Sequence, residues 1–249
     1  MKISAIVLVG EYEPYLEYCL KSLEPIVDEI VLLTEAGYRY GGLKESFKIN
    51  KIKEIEQCEH ETDFASWRNK ALEACTGQYI IRLDADEVLA NLDGTPVTRK
   101  RMEELCKVIK NEKVACIDLF TRHFIYNYFT IDGRNNGMHF TKGFLFRKKD
   151  FKGYKGKIHE YLEINEGVPG VASSNIGPCI YHFGHCKGME NLREKYRRSM
   201  EVPDNPYRAH YEELKCKSVD EYCAQHNIFK GSIPLIHYDG KLPKILGLW

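Results

Sequence analysis

Residues 63–87 read DFASWRNKALEACTGQYIIRLDADE, and this run constrains the fold more than any other part of the chain. Phe64, Arg68, Ala71, Leu72 and Cys75 fall on one face at helical spacing, and Thr62 or Asp63 can cap the start. Gly77 suits a left-handed residue closing that helix. Tyr79–Leu83 is then a short apolar run interrupted by Arg82, the pattern of a strand covered on both faces. Asp84-Ala85-Asp86-Glu87 follows at once. In extended geometry Asp84 and Asp86 point the same way while Ala85 turns inward, so the two carboxylates can converge on one cation or its water shell. Hard oxygen donors favour Mg²⁺ or Mn²⁺ and leave coordination positions for phosphates. The same residues also read as a plain polar turn, but three carboxylates within four residues concentrate charge that a cation would relieve.

The flanking segments predict what surrounds this run. Ile3–Val9 is a continuous apolar strand, and Pro14–Leu23 is a helix with Leu16, Cys19, Leu20 and Leu23 as its buried stripe. Ile30–Leu33 is a second strand, which makes a βαβ unit with parallel strands. Gly37–Gly42 is a loop at the carboxyl end of that strand, where open α/β sheets bind ligands. Ile49–Ile55 reads as a third strand. Beyond the acidic run, Asn91–Pro96 is a turn, and Thr98–Ile109 is a helix burying Met102, Leu105, Cys106 and Ile109. Val114–Phe120 and Gly143–Arg147 are strands flanking the aromatic-rich His123–Phe129. The alternation argues α/β with a mostly parallel sheet. From Lys152 the pattern loosens into glycine-punctuated, mixed-charge sequence, then a charged helix, Met189–Met200, and an extended tail.

At 249 residues the chain has room for one substantial α/β domain with an appendage. Its 36 basic and 36 acidic residues cancel, so no global field draws it to nucleic acid, and none is expected as a partner. No apolar run approaches membrane-spanning length, and the opening KISAIVLVG is wrongly flanked for a secretory signal. The expectation is a cytoplasmic protein, with peripheral membrane contact left open. The nine cysteines lack any Cys-x-x-Cys and read as reduced core thiols, although Cys179, His182, His185 and Cys186 lie close enough in sequence to raise the question of zinc.

Taken together, DEIVLL, the run DFASWRNKALEACTGQYIIRLDADEVL, KIHEYL and YHFGH resemble the family 2 glycosyltransferases with a GT-A fold, over roughly Lys2–Tyr196. The resemblance implies a domain over 1–200, with 1–90 binding a nucleotide sugar and 91–200 supplying the acceptor-binding and catalytic half, and 201–249 packed on it as an extension. It implies an inverting transferase using Mn²⁺ or Mg²⁺, a UDP-, GDP- or dTDP-sugar donor, and a glycan or other hydroxyl acceptor. Asp86 would hold the cation against the donor diphosphate, with Asp84 on the metal's water shell or the ribose and His182 as a further ligand. Val9, Glu11, Glu35, Arg68 and Ala85 would complete the donor site. Arg68 either contacts the donor or braces the acidic run. Glu160 matches the general base that takes the acceptor proton, with Asp132 and Asp150 in reserve. Tyr126, Tyr128, Phe129 and Tyr154 could form a sugar-stacking platform or belong to the core.

Two departures from the family pattern bear on the donor. The second strand runs into Thr34-Glu35-Ala36-Gly37, where an Asp is usual, and Gly10-Glu11-Tyr12-Glu13 replaces the usual Asn-Glu. A non-catalytic nucleotide- or carbohydrate-binding module is the alternative reading. A sugar-phosphate nucleotidyltransferase is a third, but VLVGEYEPY lacks its glycine-rich basic loop.

Overall fold

A computed structural model of the chain describes residues 1–10, 13–35, 51–57, 63–111, 114–125, 127–156, 160–169, 172–173, 177–188, 190–191 and 235–247. Glu11, the Gly37–Gly42 loop, Tyr126 and nearly all of the Met189–Met200 helix lie outside these residues, as does most of the 201–249 extension. The strands are β1 (Ile3–Val9), β2 (Glu29–Glu35), β3 (Ile52–Gln57), β4 (Tyr79–Arg82), β5 (Glu87–Ala90), β6 (Cys116–Ile125), β7 (Thr130–Asp132), β8 (His139–Arg147), β9 (Phe151–Lys155), β10 (Tyr161–Ile164), β11 (Ala172–Ser173), β12 (Cys179–His185) and β13 (Leu235–His237). The helices are α1 (Leu16–Leu23), α2 (Phe64–Ala74) and α3 (Arg99–Asn111).

The chain divides into two compact units. One comprises Met1–Thr121, Phe140–Tyr181 and Lys241–Trp249, and the other Arg122–His139 and His182–Gly240. The first unit is α/β, built on the parallel run β4-β1-β2-β3. β8 joins its β4 edge antiparallel, with Ile80 opposite Phe146. Alternation along β1 sends its apolar side chains to both faces, with Ser4 its one polar residue. Ile3, Ala5, Val7 and Val9 enter one core with Leu16, Leu20 and Leu23 of α1 and Met102, Cys106 and Ile109 of α3. Ile6 and Leu8 enter a second core with Trp67, Ala71 and Leu72 of α2. A strand buried on both faces is apolar except where a polar side chain finds a partner, as Ser4 does in the Gly77 N–H. Within the second unit, Phe124 stacks on Phe183 at 4.9 Å between ring centroids, and β13 pairs antiparallel with β7.

The helix stripes fall where their spacing put them, with two corrections in α2. Phe64 is 42% exposed, and Trp67 takes the buried place instead. Gly77 is also a glycine for a different reason. The helix already ends at Ala74 with Cys75 extended, and Gly77 is outside the left-handed region. A β-carbon at Gly77 would lie 2.3 Å from Ser4 Oγ and 2.7 Å from the Ser4 backbone nitrogen. Its N–H instead donates to Ser4 Oγ at 2.7 Å, which seats the start of β4 beside β1. Gly77→Ala must therefore push two backbones apart. We expect it to lower unfolding free energy by about 1–3 kcal/mol in urea titrations, the usual cost of overpacking.

Candidate active site at the carboxyl edge of the sheet

β4 and β1 run parallel, so they deliver Asp84 and the end of β1 to the same edge of the sheet. The acidic run does not stay extended there. Glu87 N–H donates to the Asp84 carbonyl at 2.9 Å, closing a turn, and Glu87 Oε2 accepts from the Asp84 N–H at 2.9 Å. A turn, rather than strand alternation, thus sets the directions of Asp84 and Asp86, while Ala85 is buried in the core as its position implied. Cys19 of α1 lies beneath the turn and donates its thiol to the Asp84 carbonyl. Burial pushes that thiol well up, and Glu87, Asp84, Asp86 and Glu13 add to the effect.

Arg68 organises the site. It is 2% exposed, and its guanidinium donates through Nη2 to Asp84 Oδ1 and through Nε to Glu160 Oε1. Burial works against its charge, but Asp84 and Glu160 outweigh burial and hold the group above its ordinary value. Arg82, the residue that interrupts the apolar strand, adds a second cation. Its Nη2 lies 3.1 Å from Glu160 Oε1 and 3.8 Å from Asp84 Oδ2. Burial would raise the Asp84 carboxyl, yet Arg68 and Arg82 hold it below the usual range. Both guanidiniums engage Oε1 of Glu160, whose side chain is 7% exposed. Glu160 Oε2 has no hydrogen-bond partner among the described residues. Arg68 therefore braces the acidic run, and it also retains a donor, because Nη1 is buried with no partner among the described residues. The hydroxyls of Tyr154 and Thr34 are likewise buried without a partner among the described residues. Buried polar atoms of this kind mark places where a ligand or water completes the pairing.

The other sequence-derived residues are placed as follows. Val9 and Glu35 are buried at the ends of β1 and β2, with Val9 in register with Thr34. Asp86 is 8% exposed. Asp150 is buried and takes Arg147 Nε at 2.6 Å. Tyr154 is core, packed against Phe146. His182 belongs to the second unit, where its Nδ1 lies 2.9 Å from His123 Nδ1. Burial, then His182 and His139, pushes His123 down to about 3. Asp132, in the same unit, is buried and paired with Arg134. Phe129 is 60% exposed, and Tyr128 packs edge-on to Phe183. Cys179 is buried in the first unit, while His182, His185 and Cys186 are in the second.

Among the described residues, no three His, Cys, Asp or Glu side chains stand together as a ready-made ion cage. The donor set at the acidic turn fits a different kind of site, in which one or two carboxylates hold Mg²⁺ or Mn²⁺ and substrate phosphates supply further ligands. The electrostatics agree. Burial, with the Asp84 and Asp86 charges next, pushes Glu87 up to about 8.

No family model matches the chain. In sequence it is similar to the SPbeta prophage-derived glycosyltransferase SunS of Bacillus subtilis (strain 168) and to glycosyltransferase SunS of Bacillus phage SPbeta. Each is 22% identical over 214 residues, which is 82% of this chain and 46% of the relative. The chain thus spans about half the length of the curated relatives it matches. Among solved structures it is similar to S. aureus TarS 1-349 in complex with UDP, at 14% identity and a TM-score of 0.48, over 92% of this chain and 72% of that one. Glucosyl-3-phosphoglycerate synthase from Mycobacterium tuberculosis, in complex with Mn²⁺, UDP and phosphoglyceric acid, superposes with a TM-score of 0.36 at 14% identity, over 49% of this chain and 43% of that one. At these scores the superpositions assign no residue and no ligand to this chain. Among the described residues no helix is long and apolar enough to cross a membrane.

The raised Glu87 carboxyl has a measurable consequence in metal-free buffer. An unfolded Glu87 ionises near 4.5 and the folded one near 8. Its favourable contribution is therefore complete below about pH 4.5 and lost as pH rises through about 8. Glu87→Gln keeps an acceptor for the Asp84 N–H but cannot titrate. In EDTA the melting temperature of the variant should gain on wild type between pH 5 and pH 8.5, and parallel curves would contradict the assignment.

Proposed function

We propose that this chain is a metal-dependent, inverting glycosyltransferase of the family 2, GT-A type, which moves a sugar, here taken as a hexose, from a nucleotide-diphosphate donor to an acceptor hydroxyl. The observation that carries the reading is the joining of Asp84 and Glu160 by one buried guanidinium at the carboxyl edge of a parallel sheet. Sequence similarity to the SunS glycosyltransferases supports it.

The chemistry follows from what the residues offer. Asp86, with Asp84 through its remaining oxygen or a bridging water, would hold Mn²⁺ or Mg²⁺, which when bound supplies Lewis-acid support to the departing diphosphate. Arg68 Nη1, buried with no partner among the described residues, is a further donor for negative charge that grows as the glycosidic bond breaks. Glu160 Oε2 takes the proton of the acceptor hydroxyl as that oxygen bonds to the anomeric carbon. The nucleoside diphosphate leaves from the opposite face, which inverts the centre. Arg68 and Arg82 occupy Oε1 and so fix which carboxylate oxygen is presented. Glu35 and Val9, at the ends of their strands, border the space for the nucleoside.

The test uses the whole chain with UDP-, GDP- and dTDP-sugars and Mn²⁺. We expect one nucleoside diphosphate to raise the melting temperature in a Mn²⁺-dependent manner. The matching donor should be hydrolysed or transferred. Glu160→Gln should lose at least about 100-fold in turnover while keeping the thermal shift. Unchanged turnover in that variant would remove Glu160 from the role of base. A nucleotide-dependent shift without turnover in wild type would favour a non-catalytic binding module.

A further inference from the structure

The residue next to Arg68 does a second job. Asn69 Oδ1 accepts the Tyr154 N–H at 2.7 Å, and its Nδ2 donates to the Tyr154 carbonyl at 2.9 Å. This is the two-point pairing a neighbouring strand would make, and it is made by one side chain of α2 to the backbone of β9. β9 pairs with β10 in a separate two-stranded sheet, with Tyr154 opposite Leu162 and Lys155 opposite Tyr161. Glu160 immediately precedes β10. An isolated two-stranded sheet is marginal in water, so its placement depends on what fastens it.

Gly153 makes the fastening feasible. Its φ of +145° lies where side chains are strained, and a β-carbon there would fall 2.7 Å from Asn69 Oδ1. The chain thus carries a glycine at the point where the carboxamide reaches the strand. Asp63 Oδ1 accepts the Ser66 N–H and caps the start of the same helix. Two adjacent α2 residues therefore locate Glu160 from both ends. Arg68 grips its carboxylate, and Asn69 grips the backbone that leads to it.

We infer that Asn69, with Gly153 making room for it, is a positioning residue that holds Glu160 in register with the acidic turn. This role rests on the reading of Glu160 as the base, and nothing in the resemblance or the comparisons assigns it. Misplacing a reacting group by about 1 Å costs on the order of 100-fold in rate, whereas ground-state binding of a donor elsewhere in the site is unaffected.

The experiment follows donor hydrolysis, with water as acceptor and the UDP-, GDP- or dTDP-sugar that wild type uses with Mn²⁺, alongside amide hydrogen exchange of the whole chain. In Asn69→Ala, kcat should fall about 10- to 100-fold with donor KM unchanged within about twofold. Exchange should rise at Tyr154 and across residues 160–164. Gly153→Ala attacks the same contact from the strand side and should give the same split between kcat and KM, so a folding failure of one variant leaves the other to decide. Faster exchange with unchanged kcat, or equal losses in kcat and donor affinity, would overturn the positioning role alone. A wild-type chain that turns over no donor would overturn the transferase reading and this role with it.

Discussion

One buried guanidinium sets the terms for the whole carboxyl edge. Arg68 has given up its water, and a cation in that position is tolerable only if carboxylates replace the lost hydration. Asp84 and Glu160 do so from two different segments, one at the end of a core strand and one at the start of a two-stranded sheet. The planar fork of arginine allows both at once, because Nε and Nη2 address different partners while Nη1 remains. A lysine would present a single point charge and could not hold the two at fixed angles. The price of this arrangement is that each carboxylate is committed in part to the arginine, which leaves Glu160 Oε2 and the outward side of the acidic turn for chemistry.

The rest of the first unit serves to bring these groups to one edge. Parallel pairing of β1 with β2 and β4 aligns their carboxyl ends, and apolar burial on both faces leaves the sheet no freedom to slip. The turn that follows β4 then crowds Asp84, Asp86 and Glu87 together. Burial first, and then that crowding, pushes the Glu87 carboxyl up to about 8 and raises the Cys19 thiol beneath it. The negative charge gathered at the turn is what would draw a metal and the diphosphate it carries.

Much of this was legible in the sequence because it is local. The apolar run of β1, the stripes of α1 and α3 and the acidic cluster each follow from spacing within a short window. The parts that were not legible depend on residues far apart in the chain. Nothing near Gly77 announces that Ser4 will lie against it. Arg82 reads as a blemish in a strand until Glu160 arrives from 78 residues away. Asn69 is only the neighbour of Arg68 in the sequence, but its partner is the backbone of Tyr154, 85 residues on. β5 and β10 are short and carry no clear period of their own, since pairing with neighbours rather than intrinsic preference makes them strands. The strand alternation assumed for Asp84 and Asp86 gave way to a turn because Glu87 reaches back to the Asp84 N–H.

The central claim is that Arg68 and Glu160 act as one unit, and a double-mutant cycle on unfolding free energy measures it directly. Arg68→Met keeps the length of the side chain without its charge, and Glu160→Gln keeps the shape of the carboxylate without its charge. A coupling energy of at least about 1 kcal/mol between the two substitutions is the predicted result. Additivity within about 0.5 kcal/mol would contradict it, since independent sites behave in that way.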